Sequence, residues 1–175
     1  MKASGFDAIS ARSLGKELGT SSSPMFTMFK DMEEVLEAIR TAAESAFSSR
    51  MQGVTDYFPA FKEFGLRLVN FAKEEPNLFQ LLFLGKYSHS EIAEGIAREC
   101  LQSPGQGYDL SREQAELLFR QMWPVACGIA TICVKHPEAF SDDIVSKTLS
   151  YHFAGIMSII KSGKEVDDIK PRRQP

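Results

Sequence analysis

Apolar residues along this chain recur every three or four positions. Tyr57, Phe58, Phe61, Phe64, Leu68 and Phe71 form one set, and Ala115, Leu118, Phe119, Met122, Trp123 and Ala126 form a second. Ile144, Val145, Thr148, Leu149, His152, Phe153, Ile156 and Ile160 form a third. This spacing lines one face of an α-helix. Sustained apolar/polar alternation is missing, as are Asn-Gly or Asp-Gly turns between β-branched runs, so no strand is predicted. The pattern predicts an all-α protein.

Helix breakers fall between the periodic segments: Gly19, Gly53, Pro59 near a helix start, Pro76, the run Ser103-Pro104-Gly105-Gln106-Gly107, and Pro137. Capping residues mark several starts. Asp31 precedes Met32, Val35, Leu36 and Ile39, with Glu33 and Glu34 in the first turn, where the helix dipole favours acid. Ser111 with Gln114 three residues on forms a capping-box pair, and Ser141 followed by Asp142 and Asp143 opens the last long helix.

Composition narrows the class. The 175 residues are 43% hydrophobic and 25% charged, the balance of one or two folded domains. Cys100, Cys127 and Cys133 are an odd number in no ligand spacing, which points to reduced thiols. No apolar run reaches the ~18 residues of a membrane span, and Met1 to Gly5 lacks the apolar stretch of a signal peptide. A cytoplasmic protein outside the membrane is expected. Net charge is −3, which argues against a generally basic nucleic-acid binder. Residues 1–30 nevertheless carry Lys2, Arg12, Lys16 and Lys30 against Asp7 and Glu17, so a local basic face remains.

Ser10 to Gly19 reads as a short helix with Ser10 as N-cap, Leu14 and Leu18 on one face, and Gly19 at a left-handed C-cap. After Gly19-Thr20-Ser21, a second short helix carries Pro24 in its first turn, then Met25, Phe26 and Phe29. Two short helices around a tight glycine turn make a helix-turn-helix. In that motif the second helix enters the major groove and hydroxyls near its start reach phosphates and base edges. Ser10, Ser21, Ser22, Ser23 and Thr27 are the candidate DNA-contacting hydroxyls, Ser10 also capping the first helix, with Arg12 and Lys30 as phosphate partners.

From Gly5-Phe6-Asp7-Ala8-Ile9 through Ile39 the sequence resembles the TetR family of bacterial transcriptional repressors. The resemblance lies in a hydroxyl-capped helix, a Gly-x-Ser turn, a recognition helix ending in aromatic-x-x-Phe (Phe26 to Phe29), then Lys30 and the acidic start Asp31-Met32-Glu33-Glu34. Phe26 stands where the family usually has Tyr, and Met32 where it usually has Lys. Further on, Glu74-Glu75-Pro76-Asn77-Leu78-Phe79 is similar to a helix start frequent in the family, and Met122-Trp123-Pro124-Val125-Ala126-Cys127-Gly128 resembles a motif of one subgroup.

The resemblance implies a DNA-binding head over residues 1–50, with Phe26 among its contacts, and a helical ligand-binding and dimerisation domain over 51–175. The implied partners are double-stranded operator DNA and a small apolar effector held by Phe58, Phe61, Phe64, Phe79, Phe83, Met122 and Trp123, between the helix Tyr57 to Lys73, the helix from Pro76 and the helix carrying Trp123. Few charges fall on the inward stripes, and no Lys or Arg there is expected to meet a carboxylate or phosphate. The helices Ser111 to Lys135 and Ser141 to Lys161 are too apolar all round for a monomer's surface and are expected to pair into a homodimer. No catalytic constellation, cofactor motif or metal-ligand spacing is present. Only Met1 to Ser4 precede the Gly5-Phe6-Asp7 turn, where the family places its first helix. The alternative reading starts there: a dimeric small-molecule-binding helical protein without operator binding.

Overall fold

The computed structural model describes residues 10–17, 19, 21, 25–84, 91–102 and 106–163. Within them the chain forms α-helices, one short 3-10 turn and no strand, as the periodicity predicts. Helix α1 (Ala11–Glu17) opens on a reciprocal pair: the Ser13 backbone N–H donates to the Ser10 hydroxyl at 3.2 Å and the Ser10 N–H to the Ser13 hydroxyl at 2.8 Å. It closes where the Gly19 N–H meets the Lys16 carbonyl at 3.3 Å, with Gly19 at φ +65°, a conformation that favours a residue without Cβ. After α2 (Met25–Met28), α3 (Met32–Met51) starts on the Asp31 carboxylate, which accepts from the Glu34 N–H at 3.0 Å.

The bundle that follows comprises α4 (Ala60–Glu74), α5 (Pro76–Phe83), α6 (Glu91–Gln102), α7 (Arg112–Lys135) and α8 (Asp142–Ser162). Helix α4 lies at its centre. It buries Phe61, Phe64, Gly65, Leu68, Val69, Phe71 and Ala72 and packs against α3, α5, α6, α7 and α8. Gly65 lets α8 approach: a Cβ there would stand 2.4 Å from Leu149 Cδ1. The predicted caps of α7 and α8 are present, with Ser111 and Gln114 forming the full capping box and the Ser141 side chain accepting from the Ile144 N–H.

Helix α3 belongs to both parts of the chain. Its last turns carry Ala43, Phe47 and Met51 into the core, where the Phe47 ring meets Phe71 at 5.3 Å and Phe83 at 5.4 Å. A polar clamp fixes its end. Arg67 Nη1 donates to the carbonyls of Arg50 at 3.1 Å and Gln52 at 2.8 Å, its Nε bonds Glu63 at 2.7 Å, and Arg50 pairs with Glu74. A guanidinium on the last carbonyls of a helix satisfies acceptors that have no partner within it and sits at the negative end of its dipole.

Two expectations are corrected, and one helix is added that the periodicity missed. The helix predicted from Tyr57 begins at Ala60, because Pro59 forms its N-cap and ends the periodic run. Tyr57 and Phe58 therefore precede the helix, and Phe58 is 72% exposed. Helix α6 escaped the periodicity because its inward face is made of small residues, Ala93, Ala97 and Cys100, with only Leu101 large. Helix α7 is also long and apolar enough to cross a membrane by length and composition. Its apolarity is used in packing, with Leu118, Phe119, Met122, Ala126, Ala130 and Cys133 among its buried side chains.

Pro59 has no side chain with which to cap α4, and Gln106 supplies the missing group from the far side of the sequence. Its Oε1 accepts from the Ala60 N–H at 2.9 Å and from the Tyr108 hydroxyl at 3.3 Å, while its Nε2 donates to the carbonyls of Tyr57 at 3.0 Å and Thr55 at 3.3 Å. Gln106 is 3% exposed. Gln106→Ala strands these groups in the interior and is expected to lower unfolding free energy by about 1–3 kcal/mol, read as a lower urea midpoint with unchanged m-value.

Candidate functional site

The sequence-predicted residues fall in two places. At the N-terminal end, Arg12 projects outward from α1, Thr27 and a partly exposed Phe26 from α2, and Lys30 from the link to α3. Ser10 and Ser21 are exposed as well, and the Ser10 hydroxyl is engaged as the α1 cap. Gly15 is the buried residue of α1. The Lys30 backbone N–H is held by the Glu34 carboxylate at 2.6 Å, which joins the end of the helix pair to the first turn of α3. Ser22 and Ser23 lie outside the described residues.

The second place is the bundle interior, where the predicted aromatic set forms a continuous stack. Trp123 packs on Phe119 at 5.7 Å, Phe64 at 6.0 Å and Phe83 at 6.4 Å; Phe83 stacks on Phe79 at 4.6 Å, and Phe64 meets Phe61 at 5.7 Å. Phe64 and Phe79 are fully buried, so their faces are spent on neighbouring rings. Phe58 is not part of this interior. It lies on the surface 5.9 Å from Tyr108, which in turn lies 5.1 Å from Phe153.

Phe61 and Met122 do line a cleft, on a different side from the one expected. It opens between α4, α7 and α8, with apolar walls of Pro59, Phe61, Met122, Leu149 and Phe153 and a volume of about 100 Å³. Lys62 and Ser150 are its polar members. Lys62 follows buried Phe61 at the edge of the α4 stripe, where an aliphatic stem can run along apolar surface. That edge position was the available signal. Ser150 had none, since its role follows from how α8 is rotated against α4. A larger, open groove of about 500 Å³ lies at the C-terminal end of α6, along Leu101, Tyr108, Leu110, Arg112 and Ala115.

Remaining polar contacts are structural. His152 Nε2 lies 3.1 Å from the Gln121 carbonyl and ties α8 to α7. Glu116 takes Arg120 and Arg98, whose hydrogen bonds hold its carboxyl below the ordinary range, and Arg98 also covers the Phe119 ring at 3.8 Å. The cysteines are free, and burial pushes Cys100 and Cys127 up to about 12. No family model, curated protein or solved structure matches the chain.

A raised thiol pKa stabilises the fold fully below the unfolded-state value of 9.0 and loses that contribution as pH climbs from there toward about 12. The urea midpoint is therefore expected to fall between pH 8 and 10, and to fall less steeply in a folded Cys100→Ala/Cys127→Ala chain. Equal slopes would assign the loss to other groups.

Proposed function

We propose that the chain is a TetR-like transcriptional regulator, a homodimer that binds operator DNA through its N-terminal helix pair and responds to a small apolar effector in its bundle. The carrying observation is the junction: a serine-capped α1, a left-handed glycine turn and α2 present Arg12, Thr27 and Lys30 outward, and one continuous helix, α3, runs from this pair into the bundle core. A movement of the bundle that tilts α3 moves the helix pair with it.

The outward faces of α7 and α8 support pairing. Leu117 and Ile132 on α7 and Ile144, Tyr151 and Ile159 on α8 are exposed, and a Cβ at Gly128 or Gly155 would meet nothing within 4 Å. Two such faces joined two-fold bury this surface as a four-helix bundle. The same symmetry sets two α2 helices toward successive major grooves, about 34–36 Å apart or a multiple of that.

Titrating the chain against DNA from its own promoter at several salt concentrations tests the reading. Binding is expected to weaken linearly on a log-log salt plot, and Arg12→Ala/Lys30→Ala is expected to make that slope shallower by about 1.8, the release of counterions from two phosphates. No binding at low salt to any candidate promoter would overturn it, and a dimeric mass in the same preparation would then favour the small-molecule-binding dimer. In sedimentation at micromolar concentration a dimer is expected; a monomeric mass refutes the pairing.

A further inference from the structure

The cleft between α4, α7 and α8 is apolar except at two points. Lys62 Nζ and Ser150 Oγ make no hydrogen bond or ion pair among the described residues, although neighbouring cations are engaged: Arg67 on Glu63 and Lys73 on the Phe140 carbonyl. Two unpaired donors beside walls of Pro59, Phe61, Met122, Leu149 and Phe153 match a ligand with an anionic end and an apolar body. Size limits the body. At about 100 Å³ the cleft is smaller than the ~150 Å³ cavity that holds benzene in another protein, so it encloses a short branched chain and takes a single ring only in part, the rest standing in its open mouth. Charge limits the head. One ammonium balances one negative charge, whereas a phosphate dianion would bring a second, uncompensated charge against apolar walls.

We propose that this cleft binds a small apolar monocarboxylate no larger than benzoate, with the carboxylate on Lys62 and Ser150 and the hydrocarbon against Phe61, Met122 and Leu149. The proposal rests on reading the bundle as the effector domain and names the class of effector. It does not rest on DNA binding.

The test is calorimetric titration of the full chain, without DNA, using sodium benzoate and sodium isovalerate as probes, with benzyl alcohol and inorganic phosphate as comparisons. Saturable binding of one or both acids is expected, at least about tenfold tighter than benzyl alcohol and with no phosphate binding, because a charge-assisted hydrogen bond is lost in the alcohol. Lys62→Met keeps the apolar stem and is expected to weaken acid binding about tenfold while leaving the alcohol unchanged; its helicity and unfolding midpoint confirm that it folds. Equal affinity for acid and alcohol, an unchanged Lys62→Met, or no acid binding at millimolar concentration would each overturn the assignment. Since no DNA is present, failure to bind an operator leaves these outcomes untouched.

Discussion

Everything in this fold is arranged around one helix that must be buried on nearly all sides. Over its fifteen residues α4 carries Phe61, Phe64, Leu68, Val69 and Phe71 at almost no exposure. A helix that carries this many large apolar side chains is stable in water only when other helices cover them, so α3, α5, α6, α7 and α8 each cover part of it while Lys62, Glu63, Arg67 and Lys73 lie between the contacts. Closeness follows from residue choice. Gly65 removes the Cβ where Leu149 of α8 arrives, and small Ala93, Ala97 and Cys100 bring α6 near. The ends of α4 are then the places where polar groups need outside help. Gln106 caps the start that Pro59 leaves bare, and near the other end Lys73 reaches the Phe140 carbonyl at 2.9 Å.

The same burial explains what the sequence made legible. Side-chain caps are local chemistry, readable from two or three residues, and those of α1, α3, α7 and α8 stand where Ser10, Asp31, Ser111 and Ser141 predict them. The all-α class is legible for a related reason, since helical periodicity repeats over many residues. Periodicity reports only large apolar side chains, however. It overran Pro59 because Tyr57 and Phe58 continue the spacing of Phe61, and it passed over α6, whose buried face is mostly alanine and cysteine.

For the candidate site the division is sharper. The aromatic residues were correctly placed inside with the exception of Phe58, but whether a buried ring lines a cavity or packs on another ring depends on interhelical rotation, which no single helix encodes. Phe64, Phe79, Phe83 and Trp123 turn to one another, while Phe61 and Met122 border the cleft. The cleft's polar members are adjacent to recognisable core positions, Lys62 beside Phe61 and Ser150 beside Leu149. Their presence in one cleft is a tertiary fact, since they stand 88 positions apart in the chain.

The position of the cleft bears on how an effector could reach the N-terminal helix pair in the proposed regulator. Lys62 and Arg67 are five residues apart on α4, about 7.5 Å along the helix axis. Lys62 faces the cleft, and Arg67 holds the last carbonyls of α3 through Arg50 and Gln52. A rigid, fully packed helix that carries both groups moves them together, because a close-packed core shifts as a unit rather than deforming between neighbours. A ligand still shifts the equilibrium only by its differential affinity for two arrangements of the bundle. In the proposed regulator the coupling would run through the contact of α4 with α8, since Gly65 admits Leu149 there and Leu149 is also a wall of the cleft, and the Arg67 clamp joins α4 to the end of α3.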